Sequence, residues 1–374
     1  MAANRTVEQI YQQQQIGEFM TTWEDFPRPG LAAWAERRKA GLMGTAKSSR
    51  YTPKFRPFDM LAEPNQSLVI LENQNHRIGV ESVCGVQDAF HRYVDADIIY
   101  FQFCGTTTLE TEFGVFEMKP SEVLLVPGGI AHRSIGTADS LRYFCLTHEA
   151  VHYVMNEDQY TSDTGFEMKR IGGPNWEIPP EAQQPSTGRV IERMHCWDDG
   201  PEDFTIIDRD YEDLVGTATL RGPAVEKGGI KKLKAFDHFT AIVGKGGGDA
   251  GTQPLMEAAH LRLRTYNMQG EQFAFHRALR SEEVRIQFRG DAIDMSEFEN
   301  VDVKPGEITI IPLGIAHSVI SDPPEDPSFL RLNFYSTQPW RVPIDPTKHA
   351  YTSTFECTTM VHKESDWRLA LAGR

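Results

Sequence analysis

The stretch Pro127-Gly-Gly-Ile-Ala-His132 recurs as Pro312-Leu-Gly-Ile-Ala-His317, 185 positions further along the chain. Ala89-Phe-His-Arg92 recurs at the same offset as Ala274-Phe-His-Arg277. Other anchors keep this register, since Gly85, Gly105 and Pro120 correspond to Gly270, Gly290 and Pro305. A match of this length at a constant offset, with no insertion or deletion between the copies, indicates that one structural unit was duplicated.

Length and composition narrow the class of protein. The 374 residues are enough for two domains with cores of their own. The formal charge is −15, from 53 acidic and 38 basic residues, so we expect no nucleic-acid partner. The five cysteines are scattered, and the sequence shows neither a signal sequence nor an apolar run long enough to cross a membrane. We therefore expect a cytoplasmic protein with reduced thiols and no membrane partner.

The pattern along the chain predicts an all-β architecture with an N-terminal helical cap. Short β-branched and aromatic runs at residues 67–71, 97–103 and 122–126 are separated by Gly, Pro and Asp, as in a sandwich or barrel. Helical periodicity is confined to residues 7–20 and 31–43. The predicted divisions are a helical cap at 1–65, a first domain at 66–170, a Pro/Gly-rich linker at 171–189, a second domain at 190–345 and a C-terminal extension at 346–374.

Two short motifs in the second copy resemble the signatures of the cupin superfamily. The first runs from Gly270 through His276 and a Glu pair to Gly290, and the second joins Pro312 to His317. The first copy carries the same framework, so the resemblance covers roughly residues 66–345. It implies two tandem jelly-roll barrels in which inward-facing strand residues hold a divalent metal.

The candidate ligands are two histidines and one carboxylate. Ala278 stands where the family has a second histidine, so the set in the second barrel is His276, a glutamate and His317. Two imidazoles and one carboxylate on one face of a metal leave about three positions open, as in non-haem Fe(II) oxygenases that bind substrate and O₂ together. The alternative is that both histidines are ordinary core residues.

Glu282 and Glu283 compete for the carboxylate position, because side chains on a strand alternate between its faces. Glu282 is in phase with an apolar set that suits a barrel interior, and Glu283 is in phase with Arg285 and Gln287, which suit solvent. The repeat places Asp97 opposite Glu282. We therefore predict Glu282 as the ligand and Glu283 as a solvated charge, with the reverse assignment as the alternative.

The equivalent set in the first barrel is His91, Asp97 and His132. Asp is one methylene shorter than Glu, and Tyr93 would project into the space that a metal or substrate needs. We predict that this barrel is degenerate and structural. The alternative is that it still holds an ion.

A closer resemblance is to the homogentisate 1,2-dioxygenase family of ring-cleaving cupins, through His276-Arg277-Ala278 followed by Ser281-Glu282. That family pairs a degenerate first cupin with an active second one. It also carries an acid/base histidine upstream of the first ligand, which implies a catalytic role for His238. Ala278 replaces the family's Asn, and an additional histidine before the last ligand is missing, so homogentisate itself is not the predicted substrate.

The predicted function is a non-haem Fe(II) (Fe²⁺) dioxygenase that cleaves the ring of a hydroquinone-like or catecholic compound. Its partners would be the small aromatic substrate and O₂. We expect a homo-oligomer, and the alternative is an assembly with a second kind of subunit, as in some of the hydroquinone dioxygenases that the chain resembles. One alternative is a cupin isomerase or hydrolase that uses Mn²⁺ or Zn²⁺. The other is a non-catalytic bicupin that binds a small molecule or serves as a structural subunit.

Overall fold

A computed structural model describes residues 8–14, 17–23, 54–55, 57–154, 188–198, 203–216, 231–234, 252–268, 275–278, 281–296, 300–311, 317–322 and 329–341. These residues form two compact units. The first barrel lies within residues 57–238 and includes 256–258, and the second barrel lies within residues 1–56, 239–255 and 259–374.

Nearly all regular structure in the described residues is β-strand. Fourteen strands precede residue 188: β1 (Glu8–Gln14), β2 (Gly17–Trp23), β3 (Lys54–Phe55), β4 (Ser67–Glu72), β5 (His76–Ser82), β6 (Gly85–Val86), β7 (Phe90–Tyr93), β8 (Asp97–Cys104), β9 (Thr107–Thr111), β10 (Gly114–Met118), β11 (Glu122–Val126), β12 (His132–Gly136), β13 (Leu141–Thr147) and β14 (His152–Tyr153). Twelve follow: β15 (Arg189–His195), β16 (Thr205–Asp210), β17 (Lys231–Lys234), β18 (Thr252–Glu257), β19 (Leu261–Met268), β20 (Phe275–Ala278), β21 (Glu282–Arg289), β22 (Asp291–Ser296), β23 (Asn300–Val303), β24 (Ile308–Ile311), β25 (His317–Asp322) and β26 (Phe329–Ser336).

Helix is limited, in the described part of the chain, to a 3-10 turn at Pro57–Met60 and a single helical turn, α1, at Tyr211–Leu214. Neither element has the length and apolar character that crossing a bilayer requires.

The first barrel is a jelly roll. Its two sheets have the strand orders β17-β11-β8-β13-β5-β4 and β10-β9-β12-β7-β15-β16. The eight central strands, β5 and β7 to β13, therefore pair first with last and second with second-last, which is the double Greek key of a jelly roll. Residues of both sheets share one apolar core, in which Leu109 of β9 belongs with Ile98 of β8 and Phe144 of β13.

The second barrel repeats this order. Its central sheets are β19-β26-β21-β24 and β20-β25-β22-β23, which match the first barrel strand for strand. The prediction of an all-β fold with two tandem jelly-roll barrels is confirmed.

The predicted helix at residues 7–20 is wrong, because β1 and β2 form an antiparallel hairpin there. β1 extends the second barrel by pairing in parallel with β20, with Gln9 opposite His276. β15 extends the first barrel in the same way, pairing with β7 and placing Arg193 opposite His91. Backbone pairing to an exposed barrel edge overrides the local helical preference. The second predicted helix, at residues 31–43, lies outside the described residues.

The observed division differs from the predicted domain boundaries. Residues 190–216 and 231–234 belong to the first barrel, although the sequence pattern assigned them to the second domain. The 54–55 strand β3 pairs with β24 of the second barrel, although it was assigned to the cap. Strand runs look alike in both copies, so their pattern does not tell which sheet a strand joins. Most of the predicted linker, residues 171–187, and the predicted C-terminal extension, residues 346–374, lie outside the described residues.

Both faces of the central strand β8 are buried. Ile98 and Tyr100 face the interior core. Ile99, Phe101 and Phe103 on the other face are fully buried as well, and the Phe103 ring lies 5.0 Å from that of Phe58. The apolar character of one face therefore does not identify the barrel interior.

Gly105, an anchor of the repeat, is required at its position. Its φ is +63°, and a Cβ would lie 2.7 Å from the backbone N and Cα of Ser140. Gly216 also has a left-handed φ, +71°, but no described heavy atom within 4 Å of such a Cβ. Alanine is strained at both positions because the backbone there has a left-handed φ. Only Gly105→Ala also brings the new Cβ into a clash with the backbone of Ser140. In urea unfolding, Gly105→Ala should cost about 1–3 kcal/mol more than Gly216→Ala. Equal costs would contradict this account.

Candidate metal centre

β20 and β25 bring two predicted ligands together in the second barrel. His276 and His317 are partners in the register of these antiparallel strands. The His317 side chain is 1% exposed. The side chain of His276 lies outside the described residues, so only its strand position is known.

Glu283 is the carboxylate that faces His317. Its Oε2 lies 3.1 Å from Nε2 of His317, and both side chains are buried. The Nε of Arg285 and the Nδ2 of Asn333 donate to Oε1 at 2.9 and 2.8 Å. Burial opposes ionisation, but Arg285 and His317 hold the pKa of Glu283 well below its usual range. Glu283 is therefore a carboxylate at neutral pH.

A second buried carboxylate, Asp294, extends this cluster. It accepts from Arg285 at 3.1 Å, from Arg331 at 2.7 Å and from the hydroxyl of Thr309 at 2.9 Å. Burial again opposes ionisation, and the two guanidinium groups lower the pKa of Asp294. The two carboxylates and the two guanidinium groups of this cluster balance each other in charge.

Glu282 points to the opposite face of β21. Its Oε2 accepts from the backbone N of Trp340 at 2.8 Å. Burial raises the pKa of this carboxyl to about 7, and the bond from Trp340 opposes the rise only in part. The structure thus reverses the predicted phase, and the description of Glu283 as a solvated surface charge is wrong.

The phase was misjudged because the polar face of β21 lines the barrel and the apolar face lies under other chain segments. Val284, Ile286 and Phe288 are at most 2% exposed. The repeat held a signal that was missed, since Gln287 and Gln102 are equivalent. Each donates to the carbonyls two and three residues further along the chain. A glutamine kept in both copies indicated a buried structural role.

Asp97 shares the position of Glu282, and the two acids share a structural role. Asp97 accepts from the backbone N of Gly128 at 2.8 Å and of Val151 at 3.0 Å. Each of these two carboxyl groups therefore accepts hydrogen bonds from backbone N–H groups of another segment of the chain and fixes the position of that segment. The acidic residue in both copies is explained without a metal.

The first-barrel histidines have other partners. His132 Nε2 lies 2.8 Å from the hydroxyl of Tyr100, and His91 Nδ1 lies 3.3 Å from Nε2 of His195. Burial lowers the pKa of His132 to about 3 and, with the neighbouring His195, that of His91 to about 4. Both imidazoles are neutral at pH 7.

Neither barrel assembles a complete metal site from described side chains. Among them, no group of three or more His, Cys, Asp or Glu residues is arranged to hold an ion. In the second barrel this leaves Glu283 and His317, with His276 known only by register. The predicted acid/base residue, His238, lies outside the described residues.

No protein-family model and no curated protein matches this chain. Its fold is similar to that of a cupin 2 conserved barrel domain protein from Leptotrichia buccalis, at 11% identity and a TM-score of 0.39, over 78% of this chain and 99% of the other. A putative glyoxylate-induced protein from Pseudomonas aeruginosa matches at 12% and 0.42, over 80% and 94%. An oxalate decarboxylase variant from Bacillus subtilis matches at 11% and 0.41, over 78% and 79%. At these values we transfer no residue role from any of them.

The raised pKa of Glu282 predicts a pH dependence of stability. The Glu282 carboxyl keeps its proton up to about pH 7 in the folded state and releases it near pH 4.5 in the unfolded state. The protonated Glu282 therefore makes its full contribution to the free energy of unfolding below pH 4.5, and this contribution is lost as pH rises through 7. Glu282→Gln keeps an acceptor for Trp340 without the charge. At pH 8 we expect it to be more stable than the parent by about 1–2 kcal/mol, with equal stability near pH 4. Urea unfolding at both pH values tests this, and a less stable variant at pH 8 would refute it.

Proposed function

We propose that the second barrel holds a divalent metal between His276, Glu283 and His317, and that the protein is a metal-dependent enzyme. The observation that carries this proposal is the 3.1 Å separation between buried Glu283 and His317, next to the strand position of His276. We assign the carboxylate position to Glu283 instead of Glu282, which faces Trp340.

The donor set fits a divalent cation. Imidazole N and carboxylate O ligands lie about 2.1 Å from such an ion, so neighbouring donors are separated by about 3 Å. Arg285 and Asn333 both engage Oε1 of Glu283, and a fixed ligand of this kind is typical of metal sites.

The charges of the site favour an anionic ligand. Glu283 and Asp294 are already balanced by Arg285 and Arg331, so the charge of an added dication has no counterion within this cluster. A negatively charged oxygen on the substrate would supply one. A metal there would act as a Lewis acid that lowers the pKa of a substrate hydroxyl.

Our specific proposal is a non-haem Fe(II) dioxygenase that cleaves a hydroquinone-like or catecholic ring. The expected oxyanion suits a dihydroxybenzene, and the resemblance through His276-Arg277-Ala278 supports ring cleavage, although Glu282 of that motif is not the ligand that we assign. His238 would accept the proton that the substrate hydroxyl releases. An isomerase or hydrolase using Mn²⁺ or Zn²⁺ would satisfy the same charge balance, and it differs in needing no O₂.

The metal assignment predicts which variants lose the ion. Protein reconstituted anaerobically should hold about one ion per chain, and His317→Ala should hold less than about a tenth of that, because two protein ligands remain. Elemental analysis after gel filtration measures the ratio. His132→Ala is the matched control at the equivalent position of the first barrel and should keep the ion. Loss in the control with retention in His317→Ala would assign the metal to the first barrel.

The same measurement separates the two glutamates. Glu283→Gln should lose the ion, and Glu282→Gln should keep it. Because Glu283→Gln also leaves Arg285 without its carboxylate, circular dichroism must show that the variant is folded. Glu283→Asp, which preserves the charge, provides a second variant. The opposite ranking of the two Gln variants would return the ligand role to Glu282.

The mechanism predicts a different result for His238. His238→Ala should bind Fe(II) as the parent does but lose about two to four orders of magnitude in turnover, the usual contribution of a positioned acid/base. O₂ uptake with a panel of dihydroxybenzenes provides the assay. Full activity in the variant would exclude His238 from the reaction. If the parent consumes no O₂ with any of these compounds, the dioxygenase proposal fails.

A further inference from the structure

The first barrel contains a cavity of ≈ 160 Å³ that the proposed reaction does not use. It is lined by Asn65, Ser67, Glu81, Gln87, Asp88, His91, Tyr93, Ile98, Tyr100, Phe144 and Arg193. All of these residues belong to the first barrel, so the cavity is independent of the metal ligands.

The size and walls of the cavity suit one flat ring. A space of about 150 Å³ is large enough for one benzene ring. Tyr93, Tyr100 and Phe144 supply three aromatic walls, and Ile98 supplies an aliphatic one. Tyr93 is fixed by stacking on His195, with ring centroids 5.3 Å apart. Aromatic walls favour an aromatic ligand through offset or edge contacts.

The charges around the cavity are already paired. Glu81 accepts from the Nε of Arg142 at 2.9 Å, and Asp88 accepts from Arg193 at 2.6 Å. His91 is neutral at pH 7, because burial and His195 lower its pKa to about 4. An anion would meet two carboxylates, and a cation would meet two guanidinium groups. The lining therefore favours an uncharged ligand.

Two polar groups that line this cavity are left for a ligand. Within the described residues, the Tyr93 hydroxyl forms no hydrogen bond, and His91 uses only Nδ1. Buried polar groups are seldom left unsatisfied. A hydroxyl group can both donate and accept, so it suits this mixed set.

We propose that this cavity binds one neutral monocyclic phenol, with its ring against Tyr100 and Phe144 and its hydroxyl held by His91 and the Tyr93 hydroxyl. The equivalent positions of the second barrel carry different side chains. Ala278, Glu283 and Arg285 occupy the positions of Tyr93, Ile98 and Tyr100, so one alanine and two charged residues stand where the first barrel has two aromatic walls and one aliphatic wall. The two barrels would then bind different ligands on one backbone.

The test is calorimetric titration of the full chain, freed of metal with chelator, with phenol under anaerobic conditions. We expect saturable binding with one site per chain. Benzoate, which carries a charge on the same ring, and cyclohexanol, which lacks the aromatic ring, should each bind at least about tenfold more weakly. Equal or tighter binding of either compound would overturn the proposed ligand class.

Three variants locate the site. Tyr93→Phe should weaken phenol binding by about five- to tenfold through loss of one hydrogen bond. Ser67→Trp should abolish binding by filling the cavity from an exposed lining position, so its effect on folding should be small. Val115→Trp, at a 59% exposed position outside the lining, is the control and should bind as the parent does.

No saturable binding by the parent, or equal binding by Tyr93→Phe and the parent, would overturn the proposal. Metal binding is measured separately, so either proposal can fail alone.

Discussion

Glu283 and Asp294 lie inside the second barrel with Arg285 and Arg331, and each charge there depends on the others. Transfer of one ion from water to such an interior costs several kcal/mol, so an isolated carboxylate would be protonated and an isolated guanidinium would be expelled. Together they form a connected set of hydrogen bonds between β21, β22 and β26. This set fixes the inward phase of β21 and hence the direction of Glu283 toward His317.

The first barrel pairs its buried Arg142 in a different way. Arg142 is balanced by Glu81 and covered by the Tyr100 ring, and the Tyr100 hydroxyl reaches His132. Two equivalent histidines therefore have different partners, a phenol for His132 and a carboxylate for His317. The phenol group of Tyr100 hydrogen-bonds a neutral imidazole, whereas the carboxylate of Glu283 stabilises positive charge next to His317, whether from a proton or from the metal that we propose. Substitution of inward residues on one strand is enough to separate the chemistry of the two barrels.

The duplication extends beyond the motifs that reveal it. Each barrel gains a hairpin whose first strand runs parallel to the strand with the first histidine, β1 beside β20 and β15 beside β7. Each also gains a short strand next to β24 or β11. These additions cover strand edges that would otherwise expose unpaired backbone groups. His195, on the added strand of the first barrel, contacts both His91 and Tyr93, so the extension also shapes the cavity.

The duplicated all-β fold could be predicted from the sequence, because Gly, Pro and His anchors at a constant offset report backbone turns and strand positions that both copies need. The cupin resemblance also implied that His276 and His317 lie together, and the register of β20 and β25 agrees. Three other features follow from contacts between residues that are far apart in the chain. The phase of β21 depended on burial of both its faces, so alternation of apolar residues did not identify the interior. The hairpin at residues 8–23 depended on a sheet edge more than 250 positions away in the chain. The functions of Asp97 and Glu282 depended on the backbone N–H groups of distant loops, which no local pattern encodes.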